Sequence, residues 1–332
     1  MTTAFVTGVT GQDGGYLVEQ LVAEGCAVHG LVHEQDLTAQ EFRDRNLPVT
    51  LHTADLSDAP GCTALIEEIA PDEIYHLAGV SSVAFSWEQP VVTGQITGLA
   101  VAVLLEAAWQ SQEKTGRPVR FVQASSAEIF GNAQVSPQNE LTPLRPTSPY
   151  GAAKAYGHHL VGVYRGRGLG ASACVLYNHE SPRRPPQFVT RKITRAAARI
   201  SAGLERELVL GNLEVRRDWG WAPDYVAAMI RTARHPEAED FVIATGESHS
   251  VGEFVAAAFA AAGVEAWQDL VRTDPEFVRP VDATEQVGDS AKARSVLGWA
   301  PTVTFVELVE RMVAADLADL PHRSSGNPSS GN

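Results

Sequence analysis

A glycine-rich turn separates the first apolar strand pattern of this 332-residue chain from its first helix pattern. The turn reads Gly8-Val-Thr-Gly11-Gln-Asp-Gly14 and directly follows the apolar run Ala4–Thr7. Glycines let the backbone approach a pyrophosphate closely, and the N–H groups at a helix N-terminus attract its negative charge. This glycine spacing is weak evidence alone, but its position between a strand and a helix predicts a dinucleotide-binding turn.

Apolar runs of strand length alternate with helix-period stretches over the first half of the chain. We expect strands at Ala4–Thr7, Ala27–Val32, Val49–His52, Glu73–Leu77, Arg120–Ala124 and Ala171–Leu176. We expect helices near Gly14–Glu24, Cys62–Ala70, Val92–Gln110 and Pro149–Arg165. Such alternation predicts an α/β fold, namely a Rossmann-like, doubly wound parallel sheet with helices on both faces.

After Leu176 the pattern becomes irregular, with proline-rich loops between helix-period stretches. We expect helices near Val189–Ala202, Pro223–Ala233, Val251–Ala262, Ser290–Leu297 and Phe305–Asp316. This half predicts a smaller, partly interleaved α/β lobe over the carboxyl ends of the strands, where open α/β sheets bind ligands. The predicted boundaries are a Rossmann domain over 1–177 with a returning segment near 212–248, a substrate lobe over 178–211 and 249–320, and a disordered tail over 321–332.

Charge and cysteine content argue against several classes of protein. The net charge of −14 disfavours nucleic acid and anionic membranes as partners. No apolar run approaches the roughly 20 residues of a membrane span, and the first strand begins too early for a signal peptide. Cys26, Cys62 and Cys174 are odd in number and far apart, which fits neither a disulfide framework nor a metal site. We therefore expect a cytoplasmic protein without a metal ion.

One segment of this acidic chain is basic. Nine Lys and Arg residues against four Glu between Asn178 and Arg217 give it a net charge of +5. Much of this charge suits a solvated helix face, but Arg183 and Arg184 lie among prolines, which fix a loop. A local cationic pocket suits a small polyanion such as a diphosphate.

Four polar residues form the candidate catalytic group: Ser126, Glu128, Tyr150 and Lys154. Tyr150 and Lys154 are four residues apart on a predicted helix, so they share a face. An ammonium beside a phenol favours the phenolate, so we expect the pKa of Tyr150 to fall toward neutral pH. That pair suits alcohol oxidation, and the extra carboxylate of Glu128 suggests an elimination coupled to the redox step.

The end of the second strand should contact the adenosine ribose. Glu34 lies 20 residues after Gly14, where an acidic residue would bind the ribose hydroxyls of NAD, although Asp36 competes for that role. Asp55 is able to accept a hydrogen bond from adenine or to cap the following helix. The candidate cofactor contacts are Gly8, Gly11, Gln12, Asp13, Gly14, Glu34, Asp55, Leu56, Leu77, Ala78, Tyr150 and Lys154.

Several longer motifs are more specific than the glycine turn and the Tyr/Lys pair. They are Thr7-Gly-Val-Thr-Gly-Gln-Asp-Gly14, Ser148-Pro-Tyr-Gly-Ala-Ala-Lys154, Asn178-His-Glu-Ser-Pro-Arg-Arg184, Phe188-Val-Thr-Arg-Lys192, Leu210-Gly-Asn-Leu213, Arg217-Asp-Trp-Gly220 and Ala244-Thr-Gly-Glu247. Over nearly its whole length the chain resembles the extended short-chain dehydrogenase/reductases, and within them the GDP-mannose 4,6-dehydratase family.

The resemblance implies conversion of GDP-D-mannose to GDP-4-keto-6-deoxy-D-mannose and water. Tyr150, assisted by Lys154, would remove the O4 proton of the hexose while hydride leaves C4 for the nicotinamide. Glu128 would abstract the C5 hydrogen and protonate the departing C6 hydroxyl, and Ser126 would bind O4. Hydride returns to C6, so the cofactor is tightly bound and regenerated each cycle.

The same resemblance implies the contacts of the nucleotide sugar, namely Ser81, Ser126, Asn178, Arg184, Val189, Lys192, Arg217, Arg279 and Asp282. Asp218 and Trp219, within the same motifs, suit structural roles instead. Asp282 stands where the family normally carries a Glu on the guanosine ribose.

The chain departs from the family pattern at several positions. His33-Glu34 replaces an Arg-Arg pair and its Ser-rich loop, which favours NAD over NADP and a homodimer over a tetramer. Gly79-Val80-Ser81-Ser82, Phe130 and Pro185 also differ from the usual residues. These changes leave open a 4,6-dehydratase of another GDP-hexose or of a GDP-heptose.

Two further functions remain as alternatives. One is a nucleotide-sugar 4-keto reductase or epimerase, and the other is a non-catalytic dinucleotide-binding regulator. Glu128 argues against the first, because neither reaction removes a C5 proton and expels water. The complete set of Ser126, Glu128, Tyr150 and Lys154 argues against the second.

Overall fold

The computed structural model describes residues 1–277 and 285–321. Its strands are β1 (Thr3–Thr7), β2 (Ala27–Val32), β3 (Val49–Thr53), β4 (Glu73–His76), β5 (Arg120–Ser126), β6 (Gly170–Leu176), β7 (Asn178–Glu180), β8 (Leu208–Leu210), β9 (Arg216–Arg217), β10 (Trp219–Trp221), β11 (Phe241–Ile243), β12 (His249–Ser250), β13 (Val271–Thr273) and β14 (Glu285–Gln286). Its α-helices are α1 (Gln12–Ala23), α2 (Ala39–Asp44), α3 (Ala59–Ile69), α4 (Val83–Glu88), α5 (Pro90–Thr93), α6 (Ala100–Thr115), α7 (Pro149–Gly166), α8 (Val189–Ser201), α9 (Ala222–Arg234), α10 (Val251–Ala261), α11 (Ala291–Leu297) and α12 (Phe305–Ala318).

A seven-stranded sheet forms the centre of the molecule, in the order β11-β6-β5-β4-β1-β2-β3. Its neighbouring strands all pair in parallel. The strand order reverses between β1 and β4, so their carboxyl ends flank the crevice in which such sheets bind ligands. The glycine turn after β1 lies at this point, between a strand and a helix as the sequence predicted.

Each face of the sheet is covered by its own set of helices. Because side chains alternate along a strand, Phe5 and Val6 of β1 point to opposite faces. Val6 belongs to a core that includes Leu17 of α1 and Met229 of α9. Phe5 belongs to the other core, which includes Leu104 of α6 and residues of α3 and α7. The expected doubly wound α/β fold is therefore confirmed.

The second lobe has a separate hydrophobic core. Residues of α8, α10 and α12 pack around Trp219, whose ring lies 5.1 Å from the ring of Phe254. Short strands pair around them in the orders β12-β9-β14 and β13-β8. The chain nevertheless returns to the large sheet through β11, which pairs with β6. The sequence pattern did not predict β11, because a strand of three residues is too short to give a clear pattern.

A continuous helical stretch from Pro90 to Thr115 joins α5 to α6 through a π-helical turn at Gly94–Leu99. Its length, and the mean hydropathy of 1.7 over an 18-residue window within it, would suffice for a membrane span. The expectation that no apolar run approaches this length was therefore wrong. Half of that window is buried inside the protein, where Leu104 and Leu105 of α6 pack on the sheet.

Candidate active site

The candidate catalytic residues meet at the carboxyl end of β5. This strand runs two residues beyond its expected end and places Ser126 at the sheet edge. The chain then turns into a 3-10 helix, in which the Glu128 N–H donates to Ser126 Oγ at 3.2 Å. Ser126 therefore fixes the backbone of Glu128 and also forms a hydrogen bond with the Tyr150 side chain.

The start of α7 positions Tyr150. Ser148 caps the helix by accepting from the Gly151 N–H at 3.0 Å, and Pro149 occupies the first turn. One turn later, Lys154 Nζ donates to the Ala124 carbonyl of β5 at 2.7 Å. The same Nζ lies 5.8 Å from the centre of the Tyr150 ring. The four-residue spacing thus places both side chains on the face toward β5, as expected.

The acid–base properties of this pair differ from the expectation. Burial raises the pKa of Tyr150 to about 12, although the hydrogen bond with Ser126 opposes this effect. Burial also lowers the pKa of Lys154 to about 8. The predicted fall in the pKa of Tyr150 is therefore wrong for this structure. The reason is that both groups are desolvated and the lysine ammonium is directed at a backbone carbonyl.

The glycine turn is packed too tightly for other residues. Gly8 has φ +71°, and a Cβ on it would lie 2.9 Å from the Ala78 nitrogen of the neighbouring strand end. A Cβ on Gly14 would lie 2.6 Å from Val9 Cα. No side chain caps the helix that begins after Gly11. Its first N–H groups therefore fit the pyrophosphate of a dinucleotide.

Two carboxylates after β2 differ in how firmly they are held. Asp36 accepts from Thr10 Oγ1 of the glycine turn at 2.7 Å and from Thr38 Oγ1 at 2.6 Å. These hydrogen bonds lower the pKa of Asp36 despite its partial burial. Glu34 is exposed. Asp36 is therefore the carboxylate that is fixed beside the turn, whereas Glu34 extends into solvent.

Asp55 does not cap the following helix, which was one of its two expected roles. Its side chain accepts from the Ser57 N–H at 2.8 Å within its own loop. The cap of α3 is Asp58, which accepts from the Gly61 N–H at 3.1 Å. Asp55 remains exposed near the ends of β2 and β3, with His33 Nε2 at 4.0 Å, and a contact with adenine remains a prediction.

A buried polar network that sequence reasoning missed joins the glycine turn to β7. His179 Nε2 lies 2.8 Å from Asp13 Oδ2, and Gln12 Nε2 donates to the His179 carbonyl at 3.0 Å. Ser181 Oγ donates to Gln12 Oε1 at 2.8 Å. Asp13 raises the pKa of His179 although burial opposes it, and His179 lowers the pKa of Asp13. The motif that carries His179 was recognised, but no local pattern indicated its partner.

The two arginines of the proline-rich loop have different surroundings. Arg183 makes two hydrogen bonds with Glu19 of α1, at 3.1 and 2.8 Å, and so holds the loop to the Rossmann domain. Arg184 Nε lies 3.2 Å from the buried Glu180, and its guanidinium stacks 3.8 Å from the centre of the Phe188 ring. The charge of Arg184 also lowers the pKa of Tyr150, the candidate catalytic tyrosine.

The remaining predicted substrate contacts within the described residues lie on several elements. Asn178 lies on β7, beside Trp219 of β10, and Val189 begins α8. Lys192 Nζ lies 4.3 Å from the centre of the Phe277 ring, and burial lowers its pKa. Arg217 of β9 is buried, whereas Ser81 is exposed in the loop after β4. Arg279 and Asp282 lie outside the described residues.

Asp218 has the structural role that was expected of it. It is buried and accepts from the N–H groups of Thr245 and Gly246, both at 2.9 Å. It also accepts from the Gly288 N–H at 3.4 Å. The Asp218 carboxylate thereby links its own segment to the backbone at Thr245–Gly246 and at Gly288.

The described site thus combines a Rossmann turn with a Ser, Tyr and Lys set, which defines the short-chain dehydrogenase/reductase class of enzyme. The family model for "GDP-mannose 4,6 dehydratase" matches residues 5–312. The chain belongs to the GDP-mannose 4,6-dehydratase family.

Individual relatives agree with this assignment. The chain is 43% identical over 325 residues to GDP-mannose 4,6 dehydratase 2 of Arabidopsis thaliana, covering 95% of this chain and 86% of the relative. It is 41% identical to GDP-mannose 4,6-dehydratase of Yersinia enterocolitica, covering 96% and 94%. The solved UDP-glucose 4-epimerase of Thermus thermophilus in complex with NAD is 28% identical, with a TM-score of 0.83 and coverage of 96% and 100%. The protein is an NAD(P)-dependent nucleotide-sugar enzyme of the dehydratase class.

Gly14→Ala should destabilise the protein and weaken dinucleotide binding, because the new methyl group would collide with the Gly8–Val9 backbone. We expect a loss of about 1–3 kcal/mol in the free energy of unfolding, as for other overpacked sites. Urea unfolding and titration with NAD would measure both effects. Gly162→Ala is the matched control, since open space surrounds that position in α7 and the change should stabilise by about 0.5–1 kcal/mol. Equal effects of the two substitutions would contradict the close approach at Gly14.

Proposed function

We propose that this protein is a GDP-mannose 4,6-dehydratase, which converts GDP-D-mannose to GDP-4-keto-6-deoxy-D-mannose and water. The observation that carries the proposal is the position of Glu128 beside the Ser126–Tyr150 pair, where its charge raises the pKa of Tyr150. A carboxylate so close to the alcohol-oxidising pair is a second acid–base group, which elimination of water requires and simple oxidation does not.

Each residue has a defined task in this reaction. Tyr150 takes the O4 proton, and the Lys154 ammonium stabilises the phenolate that forms. Ser126 donates to O4 and so holds the hexose against Tyr150. Glu128 removes the C5 proton, which the new C4 ketone acidifies, and delivers it to the departing C6 hydroxyl. A nicotinamide dinucleotide held at the Gly8–Gly14 turn would supply the redox chemistry at C4 and C6.

The high pKa of Tyr150 has a consequence for this scheme. Burial without ligands favours the neutral phenol, so the tyrosine needs nearby positive charge when it acts as a base. Lys154 supplies one such charge, and an oxidised nicotinamide dinucleotide held at the glycine turn would supply another. The base would therefore be activated only when the cofactor is present.

The loop between β7 and α8 supplies the charge for the nucleotide. Arg184 is held by Glu180 and Phe188, and Lys192 lies one turn into α8. A planar guanidinium fork and a lysine point charge suit a diphosphate, which would draw an anionic substrate to an otherwise acidic protein. Val80 and Ser81, which depart from the family pattern, lie in the loop after β4, and Pro185 lies in the loop before α8. Other GDP-hexoses and GDP-heptoses therefore belong in the substrate panel.

The deciding experiment is incubation of the purified enzyme with GDP-mannose in deuterated water, followed by mass spectrometry. We expect loss of one water, incorporation of one deuteron and no accumulation of reduced cofactor.

Glu128→Gln should lower turnover by about 10²–10⁴-fold while cofactor binding is retained. Tyr150→Phe should block the reaction before any hydride transfer. Full turnover by Glu128→Gln, or a product that keeps its water, would refute the proposal.

We propose further that the enzyme prefers NAD to NADP. Asp36 is held as a carboxylate by Thr10 and Thr38, and Glu34 adds a second negative charge at the end of β2. Two carboxylates at this position would accept hydrogen bonds from ribose hydroxyls and repel a 2′-phosphate.

Glu34→Arg should raise affinity for NADP relative to NAD by about tenfold, because it replaces a repelling charge with an attracting one. Titration of each cofactor by fluorescence would give the ratio of the two dissociation constants. Glu41→Arg on the exposed face of α2 makes the same charge change farther along the chain and should leave the ratio unchanged. An unchanged ratio in Glu34→Arg would show that Glu34 does not face the ribose.

We also propose a homodimer formed through the outer face of α7 and the neighbouring Pro90–Thr115 stretch. The two pack together at Gly98, where a Cβ would lie 3.5 Å from the Ala153 carbonyl. Val91 and Leu99 on one helix and Val163 on the other remain exposed, by 71%, 53% and 62%. A second copy of the same two-helix face would bury this apolar surface in a symmetric four-helix contact.

Val163→Glu should convert the dimer to a monomer, because it places a charge in the centre of the proposed contact. Light scattering coupled to size exclusion would measure the mass. Val135→Glu is the control, since Val135 is equally exposed at 62% but lies in the loop before α7. A wild-type protein that elutes as a monomer would overturn the proposed assembly.

A further inference from the structure

Three buried polar side chains lie together behind the catalytic lysine. They are His76 of β4 and Gln123 and Ser125 of β5, with exposures of 1%, 2% and 3%. His76 pairs with Gln123 in the parallel register, and Ser125 lies two residues further along β5. Because side chains alternate, all three point to the face of the sheet that α6 and α7 cover. They play no part in the proposed reaction steps.

Each of these side chains has a polar atom without a hydrogen-bond partner among the described residues. The atoms are His76 Nε2, Gln123 Oε1 and Ser125 Oγ. Buried polar groups are nearly always paired with protein or with ordered water, so three together on adjacent strands require a common explanation.

The hydrogen bonds of Thr7 define the tautomer of His76. Thr7 Oγ1 accepts from the N–H groups of Leu77 and Ala78, at 3.2 and 3.1 Å. Its single hydrogen must therefore go to His76 Nδ1, which lies 2.8 Å away. Burial lowers the pKa of His76 to about 3, so the ring is neutral and carries its hydrogen on Nε2. The unpartnered Nε2 is thus a donor.

The Lys154 ammonium borders the same cluster. Lys154 Nζ and Gln123 Nε2 both donate to the Ala124 carbonyl, at 2.7 and 3.0 Å. The charge of Lys154 also contributes to the low pKa of His76. An ammonium has three hydrogens, and the Ala124 carbonyl accepts one of them.

We propose that His76, Gln123 and Ser125 bind one ordered water that acts as a hydrogen-bond acceptor for Lys154. The water would accept from His76 Nε2 and Lys154 Nζ and would donate to Gln123 Oε1 and Ser125 Oγ. These are two donors and two acceptors, the complete set for a tetrahedral water. The three side chains are then positioning residues that hold the lysine ammonium where Tyr150 needs it. The catalytic part of this inference rests on the proposed function, whereas the water site does not.

The water site has a consequence for pH dependence. Burial lowers the pKa of Lys154, whereas Asp13 of α1 raises it. The other titratable groups nearby are Tyr150 and His158 on α7 and His76 on β4. A water that accepts from the ammonium favours the charged form. Loss of the water would lower the pKa of Lys154 further. As the pH is raised, the enzyme would then begin to lose activity at a lower pH than the wild type does.

The test uses the holoenzyme with NAD bound. A crystal structure at high resolution should show one water within hydrogen-bond distance of His76 Nε2, Gln123 Oε1, Ser125 Oγ and Lys154 Nζ. In the dependence of kcat on pH, Ser125→Ala and His76→Phe should each shift the alkaline limb to lower pH by about one unit. This is the effect of one lost hydrogen bond to a charged group. His76→Gln keeps an N–H donor, so its alkaline limb should lie at the same pH as that of the wild type.

Ser172→Ala is the matched control. Ser172 is equally buried on the adjacent strand β6, where it accepts from the Glu239 N–H on the other face of the sheet. Ser172→Ala should lower the melting temperature without shifting the alkaline limb of the dependence of kcat on pH. The proposal is overturned if Ser125→Ala behaves in the same way, or if the holoenzyme shows no electron density for the water. The density is visible whether or not GDP-mannose is turned over, so failure of the proposed function would be recognised separately.

Discussion

The buried ammonium of Lys154 is the constraint around which the active site is arranged. A charge removed from water is costly unless hydrogen bonds replace its hydration. Here the sheet supplies the Ala124 carbonyl at 2.7 Å, and that contact fixes the first turns of α7 against the end of β5. Tyr150, one turn earlier on α7, is thereby aligned with Ser126 at the same strand end. The relative positions of Tyr150 and Ser126 thus depend on how the buried Lys154 ammonium is held.

A second set of buried polar contacts connects the two lobes. Gln12 and Asp13 begin the helix of the dinucleotide turn, and both bind His179 on β7. The ring of His179 also stacks on Tyr225 of α9, with the ring centres 4.6 Å apart. Since the loop with Arg183 and Arg184 follows directly after β7, its position depends on the helix that begins at the glycine turn. In the proposed reaction, both the cofactor and the nucleotide sugar would therefore be located relative to one rigid element.

The sequence was sufficient to predict those features of the structure that depend on residues close together in the chain. The Gly8–Gly14 turn, the strands of the first half and the shared helix face of Tyr150 and Lys154 all follow from short-range spacing. The pKa of Tyr150 did not follow, because it depends on how much water the assembled site excludes. The pairing of Asp13 with His179 spans 166 residues, and no periodicity encodes such a contact. Asp36 was recognised only as a competitor of Glu34, since its bond to Thr10 exists only after β2 and the glycine turn are brought together.

The ion pair of Arg184 with Glu180 holds a cation at the candidate site of a protein whose net charge is −14. The carboxylate of Glu180 is buried and also accepts from Thr190 Oγ1 at 2.6 Å, so it is fixed by two elements. Its charge neutralises Arg184 before the substrate arrives, which limits the cost of holding a cation near the buried lysine. It also fixes the guanidinium against the Phe188 ring. A diphosphate would then meet a donor group that has already lost its rotational freedom, so less entropy is lost on binding.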